Sequence, residues 1–258
     1  MQTIQTTKSS GIGSNALHAW GMFFAAIGIA ARSILQIRLL GMGQVSAQTL
    51  LEVLRTSDSA MFTATAALVM QALETCAVPF FAFLITEGYQ KTSDFWKYVL
   101  RVLALALVSE LPYNLAMSGK ILDTSSRNPV FALVVGLVML YLYGRFAEKG
   151  MKNTLMKALI TIAALLWPMM LGIQYGSCTV LLTAVMWAFR KKPLVRNIAA
   201  ATASVVCTLF SPFFLAAPMG CLAIHFYNGE KGEQNRLVNY LAYPVLLLVI
   251  GLFGLLMP

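Results

Sequence analysis

The sequence predicts an all-α fold, a bundle of about eight transmembrane helices that crosses a bilayer repeatedly. Its 258 residues are 59% apolar and 11% charged, with a mean hydropathy of +0.74. A soluble domain carries about 25% charged residues, so this composition excludes the soluble globular class. Apolar runs of about 20 residues, long enough to cross a bilayer, recur along the chain. Few residues remain between them, so one transmembrane domain over residues 1–258 is predicted.

Eight apolar runs define the predicted spans. They are 16–37, 61–88, 96–116, 129–147, 153–173, 175–189, 197–226 and 238–257. The run 61–88 is too long for one straight crossing and contains Pro79. The run 197–226 contains the breakers "SPFF" and "AP", so it predicts either one kinked span or two short ones. With two short spans, the count becomes nine.

The distribution of Lys and Arg predicts the orientation. With the N-terminus inside, twelve of these residues fall in inner segments and six in outer segments, which favours a cytoplasmic N-terminus. The inner set is Lys8, Lys91, Lys97, Arg101, Arg145, Lys149, Lys152, Lys157, Arg190, Lys191, Lys192 and Arg196; the outer set is Arg38, Arg55, Lys120, Arg127, Lys231 and Arg236. This asymmetry accounts for the net charge of +9. The predicted partner is therefore the lipid bilayer and not nucleic acid.

Glu110 is a carboxylate inside an otherwise apolar run, in the stretch "LVSELPYNLAMSGKILDTSSRNP". Tyr113 and Asn114 follow at positions i+3 and i+4, so the three side chains share one helix face. Pro112 frees a backbone carbonyl, which in lipid needs protein or water as its partner. Two interpretations stay open: a polar site that orients an amine or acts as a base, and a structural ion pair with Arg32 at similar depth.

A second polar group lies near the predicted cytoplasmic boundary, in "LITEGYQKTSDFWKYVLR". Glu87 closes one span and Lys91 follows it, while Lys97 and Arg101 stand four residues apart on the next helix. Two cations on one helix face, next to a helix N-terminus, suit a phosphate-bearing ligand. The alternative is that these cations only flank the spans, as Lys and Arg do on the cytoplasmic side.

Three further polar residues are candidates for the interior. His225 ends an apolar run and is followed by Tyr227 and Asn228. Glu74 is the most buried charge by position, and it is either a neutral, protonated carboxyl or a partner of Arg32. Neither histidine has a second ligand at metal spacing, and the four cysteines lie in apolar runs. We therefore expect no metal site and no disulfide.

Two segments of the chain resemble the TraX family of bacterial integral membrane proteins. The first covers 79–147, and the second, with "YNGEKGEQNRLVNYLAYPVLLLVIGL", covers 226–253; together they make up roughly two fifths of the chain. The matching positions of the first segment are Pro79 to Leu84, Glu87, Gly88, Thr92, Tyr98, Arg101, Ser109, Glu110, Pro112, Tyr113, Asn114, Leu115 and Asn128. The motifs occur in the order that is typical of the family.

This resemblance implies a multi-pass acyltransferase of the bacterial inner membrane. TraX is associated with acetylation of the pilin N-terminus in conjugation, and the family is similar to membrane acyltransferases that use cytoplasmic acetyl-CoA. Acetyl-CoA would be a co-substrate rather than a tightly bound cofactor, and the acceptor would be a protein or a small molecule.

The resemblance also implies roles for individual residues. Donor binding falls to Lys91, Lys97 and Arg101. The candidate catalytic bases are Glu110, Glu87 and His225. Apart from the resemblance, the polar residues in and beside the spans predict a substrate cavity lined by Tyr113, Asn114, Asn128, Arg32, Glu74 and Asn228.

The sequence departs from the family at two places. Members carry an Asp-His pair late in the first span, where this chain has "AAIGIAARS" at 25–33, with neither residue. Members also carry an Arg just before the Pro-Leu-Phe run, where this chain has Thr75 and Cys76. If the Asp-His pair is the catalytic unit of the family, these departures imply a non-acetylating relative, and pilin is then not the expected acceptor.

Three functions stay open at this point. The first is acyl transfer from a cytoplasmic acyl-CoA donor. The second is a small-solute transporter, in which Glu74, Glu110 and Arg32 line a path between proline-interrupted helices. The third is an enzymatically silent membrane component of a conjugation or envelope assembly. The sequence leaves the oligomeric state open.

Overall fold

The computed structural model describes residues 11–230 and 236–257, so Lys8 and Lys231 of the orientation census lie outside the described residues. Within these ranges the chain is 79% helix with no strand, which confirms the predicted all-α class. Large apolar side chains such as those of Phe62, Leu107 and Leu166 are exposed on the helices. Such an apolar exterior is expected where helices face lipid rather than water.

The described residues form eleven α-helices. They are α1 (Ser14–Ala30), α2 (Ala47–Thr56), α3 (Asp58–Glu74), α4 (Ala77–Lys91), α5 (Phe95–Ser118), α6 (Val130–Arg145), α7 (Met151–Met170), α8 (Gly176–Ala188), α9 (Pro193–Val206), α10 (Pro218–His225) and α11 (Arg236–Leu256). A π-helix over Ala31–Leu39 continues α1 without a break. Two short 3₁₀ segments, Cys207–Leu209 and Pro212–Leu215, lie between α9 and α10.

Five helices in the described part of the chain are long and apolar enough to cross a membrane, and they coincide with five of the eight predicted runs. They are Ser14–Leu39, Asp58–Lys91, Phe95–Ser118, Met151–Met170 and Leu237–Leu256. The runs 129–147, 175–189 and 197–226 hold shorter apolar helices of 10–17 residues. In 197–226 the structure has two segments, which separate at Phe210 and Ser211. The structure thus supports a membrane bundle, while a count of eight or nine spans stays a prediction.

Within the helical segment Asp58–Lys91, a turn at Thr75 and Cys76 divides the long run 61–88 into α3 and α4. Together the two helices and their turn contain 34 residues. That is about 51 Å of helix at 1.5 Å per residue, against a bilayer core of about 30 Å. Both turn side chains bind backbone carbonyls near the 3₁₀ segment, at 3.0 and 3.1 Å. Pro79 does not cause the break, because it lies in the first turn of α4, where proline is tolerated.

The interior is filled by three apolar clusters. The largest joins α4, α8, α9 and α10 around Phe80, Phe83 and Phe214. The second joins α5, α6 and α11, and the third joins α6, α7 and α8. Helix α1 packs against α3, α4 and α11, while α5 packs along α11. The space between α1, α4, α5 and α11 is left for a cavity.

The π-helix that follows α1 has wider turns than an α-helix. The N–H of Leu40 donates to the carbonyl of Leu35 at 3.0 Å, which is the i to i+5 pattern. Most π-helices are single-turn bulges, often at functional sites, whereas this one has 9 residues. It carries Arg32, whose Nη1 donates to Gln36 Oε1 at 2.8 Å. A cation is thereby fixed inside the first long helix.

Gly220→Ala is expected to destabilise the fold, because Gly220 brings α10 against the turn before α4. A β-carbon there would lie 2.5 Å from the carbonyl oxygen of Cys76, a backbone atom that has no rotamer to adopt. We expect a loss of about 1–3 kcal/mol in the free energy of unfolding, measured by denaturant titration in detergent.

The matched control is Gly144→Ala in α6. The nearest atom to a β-carbon at Gly144 is the Tyr89 hydroxyl oxygen, at 3.7 Å. Alanine should therefore be tolerated, with a gain of up to about 1 kcal/mol from helix propensity. Equal losses for Gly144→Ala and Gly220→Ala would contradict the close packing of α10.

Candidate functional site

Two neighbouring cavities contain many of the predicted polar residues. The larger, which we call the basic cavity, has a volume of about 740 Å³ and has Lys91, Lys97 and Arg101 at its entrance. The smaller, which we call the polar cavity, has a volume of about 260 Å³ and includes Arg32 in its lining. Glu74 lines both cavities. The two spaces therefore meet at a buried carboxyl.

The entrance of the basic cavity presents two cations from the first turns of α5. Lys97 Nζ lies 3.1 Å from Asp94 Oδ2, and Asp94 Oδ1 caps α5 by accepting from the Lys97 backbone N–H at 3.1 Å. The hydrogen bond from that N–H, together with the side-chain bond, lowers the pKa of Asp94. Arg101 is exposed and makes no hydrogen bond or ion pair with any residue that the structure describes. Its guanidinium is therefore available for an anion.

Lys91 is held at the same entrance by a carboxylate and a phenol. Its Nζ lies 3.0 Å from Glu87 Oε2 and donates to the Tyr227 hydroxyl at 2.8 Å and to the Gly229 carbonyl at 2.9 Å. The Tyr227 hydroxyl donates in turn to Glu87 Oε2 at 3.2 Å. Burial raises the pKa of Tyr227, so it stays protonated. This network ties α4 to the segment after α10 and commits Glu87 to an ion pair.

A pair of amides from α1 and α11 also lines the basic cavity. Asn239 Nδ2 donates to Asn15 Oδ1 at 3.1 Å. The other two amide atoms, Asn15 Nδ2 and Asn239 Oδ1, are buried and have no partner within the described ranges. Buried polar atoms are nearly always hydrogen-bonded in proteins. The pair therefore offers one donor and one acceptor to a ligand.

Glu74 is the last residue of α3 and is buried where the two cavities meet. Its Oε2 accepts a hydrogen bond from the Tyr175 hydroxyl at 3.2 Å. Gly28 of α1 provides the space for this carboxyl, because a β-carbon at Gly28 would overlap it. Glu74 and Arg32 both line the polar cavity, yet no ion pair joins them. The predicted contact between these two residues is therefore absent.

Tyr175 holds its hydroxyl against Glu74 from an unusual backbone conformation. Its φ is 53°, in the left-handed region that residues other than glycine rarely adopt. Its hydroxyl is the donor of the hydrogen bond to Glu74 Oε2. Residues in such conformations cluster at functional sites.

The polar cavity is lined almost entirely by polar residues, with Met117 as the exception. The Tyr113 hydroxyl donates to Gln174 Oε1 at 2.9 Å and lies 2.9 Å from Ser126 Oγ. Asn114 is buried, and its Oδ1 has no partner in the described part of the chain. Of the six residues predicted to line a substrate cavity, the structure thus brings four together here: Arg32, Glu74, Tyr113 and Asn114.

Glu110 lines neither cavity, because its carboxylate binds the segment that precedes α6. Oε1 lies 3.0 Å from Arg127 Nη1, and Oε2 accepts from Asn128 Nδ2 at 2.6 Å and from its backbone N–H at 3.3 Å. The alternative of an ion pair between Glu110 and Arg32 is therefore wrong. The loop after α5 places Arg127, not Arg32, next to Glu110. Asn128 also donates to the Ala106 carbonyl at 2.9 Å, so it joins α5 to α6 and lines neither cavity.

His225 and Asn228 also line neither cavity. His225 is exposed at the end of α10, with Nδ1 3.5 Å from Asn197 Nδ2. The Asn228 N–H donates to the Ile12 carbonyl at 3.1 Å, which fastens this segment to the start of α1. Of the three predicted bases, Glu87 is therefore the one that lines the basic cavity.

Tyr175, Asn15 and Asn239 are site residues that the sequence did not reveal. Tyr175 is 101 residues from Glu74, and the two asparagines are 224 residues apart. No local spacing can join residues so distant in the chain. One signal was present for Tyr175, because "IQYGS" is a polar interruption between two apolar runs.

Comparison with known proteins gives one family match. The family described as TraX protein matches residues 47–254, most of the chain. No curated protein and no solved structure matches the chain. The matched range begins after α1 and the π-helix, and it contains Glu74, Arg101 and Tyr175.

Proposed function

The chain belongs to the TraX family, and we propose that it is a membrane acyltransferase that binds an acyl-CoA donor in the basic cavity. The observation that carries this proposal is the order of groups in that cavity. Cations stand at the entrance, and a buried carboxyl lies at the boundary with the second cavity. An acyl-CoA has a matching order, with phosphates at one end and a thioester at the other.

The dimensions and lining of the basic cavity support a long donor. Asn15 and Ile29 of α1 both line it, which corresponds to a length of about 21 Å at 1.5 Å per residue. Its volume of about 740 Å³ lies within the range of about 300–1,000 Å³ that is typical of ligand sites. Arg101 would bind the phosphates. The free amide atoms of Asn15 and Asn239 would bind the amides of the pantetheine arm.

Glu74 would act as the general base of the transfer. Its carboxylate takes the proton from the acceptor's hydroxyl or amine, while the acceptor oxygen or nitrogen bonds to the thioester carbonyl carbon. The carbon–sulfur bond then breaks, and the departing CoA thiolate takes the proton from Glu74. The Tyr175 hydroxyl would orient the carboxyl through its hydrogen bond at 3.2 Å. Glu87 is less suited to this role because Lys91 already pairs with it.

The position of Glu74 bears on the Asp-His pair that the first span lacks. The stretch 25–33, where relatives carry that pair, meets the Glu74 carboxyl at Gly28. On this proposal the Glu74 carboxyl of α3 lies beside α1, next to the positions where relatives carry the Asp-His pair. The chain would then retain a base for acyl transfer although α1 supplies none.

The entrance of the basic cavity would face the cytoplasm, with the protein in a bacterial inner membrane. The excess of Lys and Arg in the predicted inner segments supports this orientation. Acyl-CoA is a cytoplasmic metabolite, so the donor would be available on that side. The acceptor, a protein or a small molecule, would reach Glu74 through the polar cavity.

Arg101→Gln is expected to weaken acetyl-CoA binding about tenfold, because it removes a charge-assisted contact with a phosphate. The measurement is isothermal titration calorimetry with protein purified in detergent. Lys152→Gln is the matched control, since Lys152 is an exposed cation of α7 outside the basic cavity. An unchanged affinity for Arg101→Gln, or an absence of acetyl-CoA binding, would count against the proposal.

A second candidate function, solute transport, is supported by the meeting of the two cavities at Glu74 and Met117. A solute that enters one cavity could leave through the other. Flux into proteoliposomes separates the two functions: uptake of labelled solute without acetyl-CoA supports transport, and acetyl transfer without uptake supports the enzyme. A silent assembly component would show neither.

A further inference from the structure

We propose that the polar cavity is the acceptor site and that it binds a small monocarboxylate with a hydroxyl or amine group, whose carboxylate is held by Arg32. The acceptor role rests on the proposed function, whereas binding of the carboxylate does not. Arg32 lies outside the family match at 47–254. The inference therefore comes from the contacts of this chain.

Arg32 is a cation with unused donors. Its Nε donates to the Met117 carbonyl at 3.3 Å and its Nη1 to Gln36 Oε1 at 2.8 Å. A guanidinium has five N–H groups, so three remain for a ligand. No carboxylate of the described residues forms an ion pair with it. A charge inside a membrane helix needs a countercharge or an aqueous cavity, and an anionic ligand would supply the countercharge.

Asn114 offers the complementary group for a hydroxyl or an amine. Its side chain is 3% exposed and lines the polar cavity, and its Oδ1 accepts no hydrogen bond from any described residue. A buried carbonyl oxygen without a donor is costly, so a donor from a ligand would stabilise it. Gln71 lines the same cavity and likewise makes no hydrogen bond with a described residue. Together, Arg32 and Asn114 favour a ligand that has a negative charge at one position and a hydrogen-bond donor at another.

The charge and the size of the cavity favour a small monocarboxylate over a phosphate. Asp123 also lines the cavity, and the hydrogen bond from the Ser125 N–H lowers its pKa and keeps it charged. A dianion beside Arg32 would be repelled by Asp123 and Glu74. The volume of about 260 Å³ is below the usual lower bound of about 300 Å³ for drug-sized ligands. The ligand is therefore a small molecule.

Glu74 connects this ligand to the transfer step. It lines the polar cavity together with Arg32 and Asn114, and it also lines the basic cavity. A hydroxyl that donates toward Asn114 would therefore lie in the cavity that contains the base. Deprotonation by Glu74 and attack on the thioester would then follow as described above, with an ester or an amide as the product.

The test is a titration of the purified full chain in detergent with four probes. L-lactate and L-serine carry the proposed groups, while L-lactamide and glycerol are neutral controls of similar size. We expect lactate and serine to bind at least tenfold more tightly than lactamide and glycerol. Equal affinities for lactate and lactamide would overturn the proposal, because the carboxylate would then contribute nothing.

Variants assign the binding to Arg32. Arg32→Gln should weaken lactate binding about 10- to 100-fold, and Arg32→Lys, which keeps the charge, should recover part of it. Arg38→Gln is the matched control, because Arg38 belongs to the same π-helix and lies outside the cavity. A thermal unfolding midpoint is recorded for each variant to identify any that fails to fold. If Arg32→Gln does not fold, Arg32→Lys is compared with the unchanged chain instead. Lactate binding that is the same in a folded Arg32 variant would overturn the proposal.

A parallel titration with acetyl-CoA separates this inference from the proposed function. Binding of acetyl-CoA without binding of lactate or serine would overturn the acceptor site and leave the acyltransferase standing. Arg32-dependent binding of lactate without binding of acetyl-CoA would overturn the acyltransferase, and the acceptor role with it, and would leave the carboxylate site standing. The two proposals therefore fail in different experiments.

Discussion

Glu74→Gln is expected to lower the rate of acetyl transfer by about 10²- to 10⁴-fold, the range that general acid–base catalysis contributes. Glutamine has nearly the same shape but cannot take a proton from the acceptor. Its amide oxygen can still accept the hydrogen bond from Tyr175, so the fold should be retained. The rate is measured as acetyl-CoA-dependent release of CoA thiol, with membrane extract as the source of acceptor.

Glu87→Gln is the control that distinguishes Glu74 from Glu87 as the base. Glu87 lines the same cavity but lies at the entrance, in its ion pair with Lys91. We expect Glu87→Gln to change the rate less than about tenfold, with its main effect on donor affinity. A large loss for Glu87→Gln and a small one for Glu74→Gln would move the base to the entrance. Similar affinities of Glu74→Gln and the unchanged chain for acetyl-CoA would show that the donor site is intact.

Glu110→Ala is expected to destabilise the protein by about 2–3 kcal/mol without changing acetyl-CoA affinity. The substitution removes one ion pair with Arg127 and two hydrogen bonds from Asn128. A fully buried pair would cost more, but the Arg127 side chain is 40% exposed and can be hydrated once it is unpaired. The measurements are denaturant titration in detergent and calorimetric titration with acetyl-CoA.

Glu52→Ala is the control for the loss of a carboxylate, because Glu52 is exposed on α2 and its side chain makes no hydrogen bond or ion pair with a described residue. Its effect on stability should be within about 0.5 kcal/mol. If Glu110→Ala instead left stability unchanged and abolished transfer, Glu110 would be a base as the sequence suggested. A purely structural role for Glu110 would then be excluded.

The positions of the helices could be predicted because apolar runs carry their own signal. Five of the eight runs are long apolar helices, and the other three are shorter ones. The break in the run 61–88 could not be located, because it depends on carbonyls near the 3₁₀ segment, more than a hundred residues away. Pro79 was the visible breaker in the sequence, but the turn lies before it.

The face shared by Glu110, Tyr113 and Asn114 was predictable in part. The i+3 and i+4 spacing is a property of the helix, and Tyr113 and Asn114 do line one cavity. The partner of Glu110 was not predictable from depth, because Arg127 belongs to a loop that folds back onto α5. Neither the separation in sequence nor the predicted depth in the bilayer shows which cation will pair with a given carboxylate.

The predicted donor residues were found together because they are close in sequence. Lys91, Lys97 and Arg101 all lie within eleven residues of each other, so any helical arrangement keeps them at one end of the bundle. The environment of Glu74, the proposed base, in contrast needs α1 to leave space at Gly28 and Tyr175 to donate its hydrogen bond. Those contacts arise only when three distant segments pack.

The π-helix Ala31–Leu39 is a place where the first long helix can lose a residue and remain helical. A π-helical turn holds one residue more than an α-helical turn, so this segment already contains what amounts to an insertion. Deleting one residue between Arg32 and Gln36 would allow the following turn to return to α-helical geometry without ending the helix. The same deletion within α1 would rotate every later side chain out of register. Among related chains, the first long helix should therefore vary in length here sooner than at Gly28.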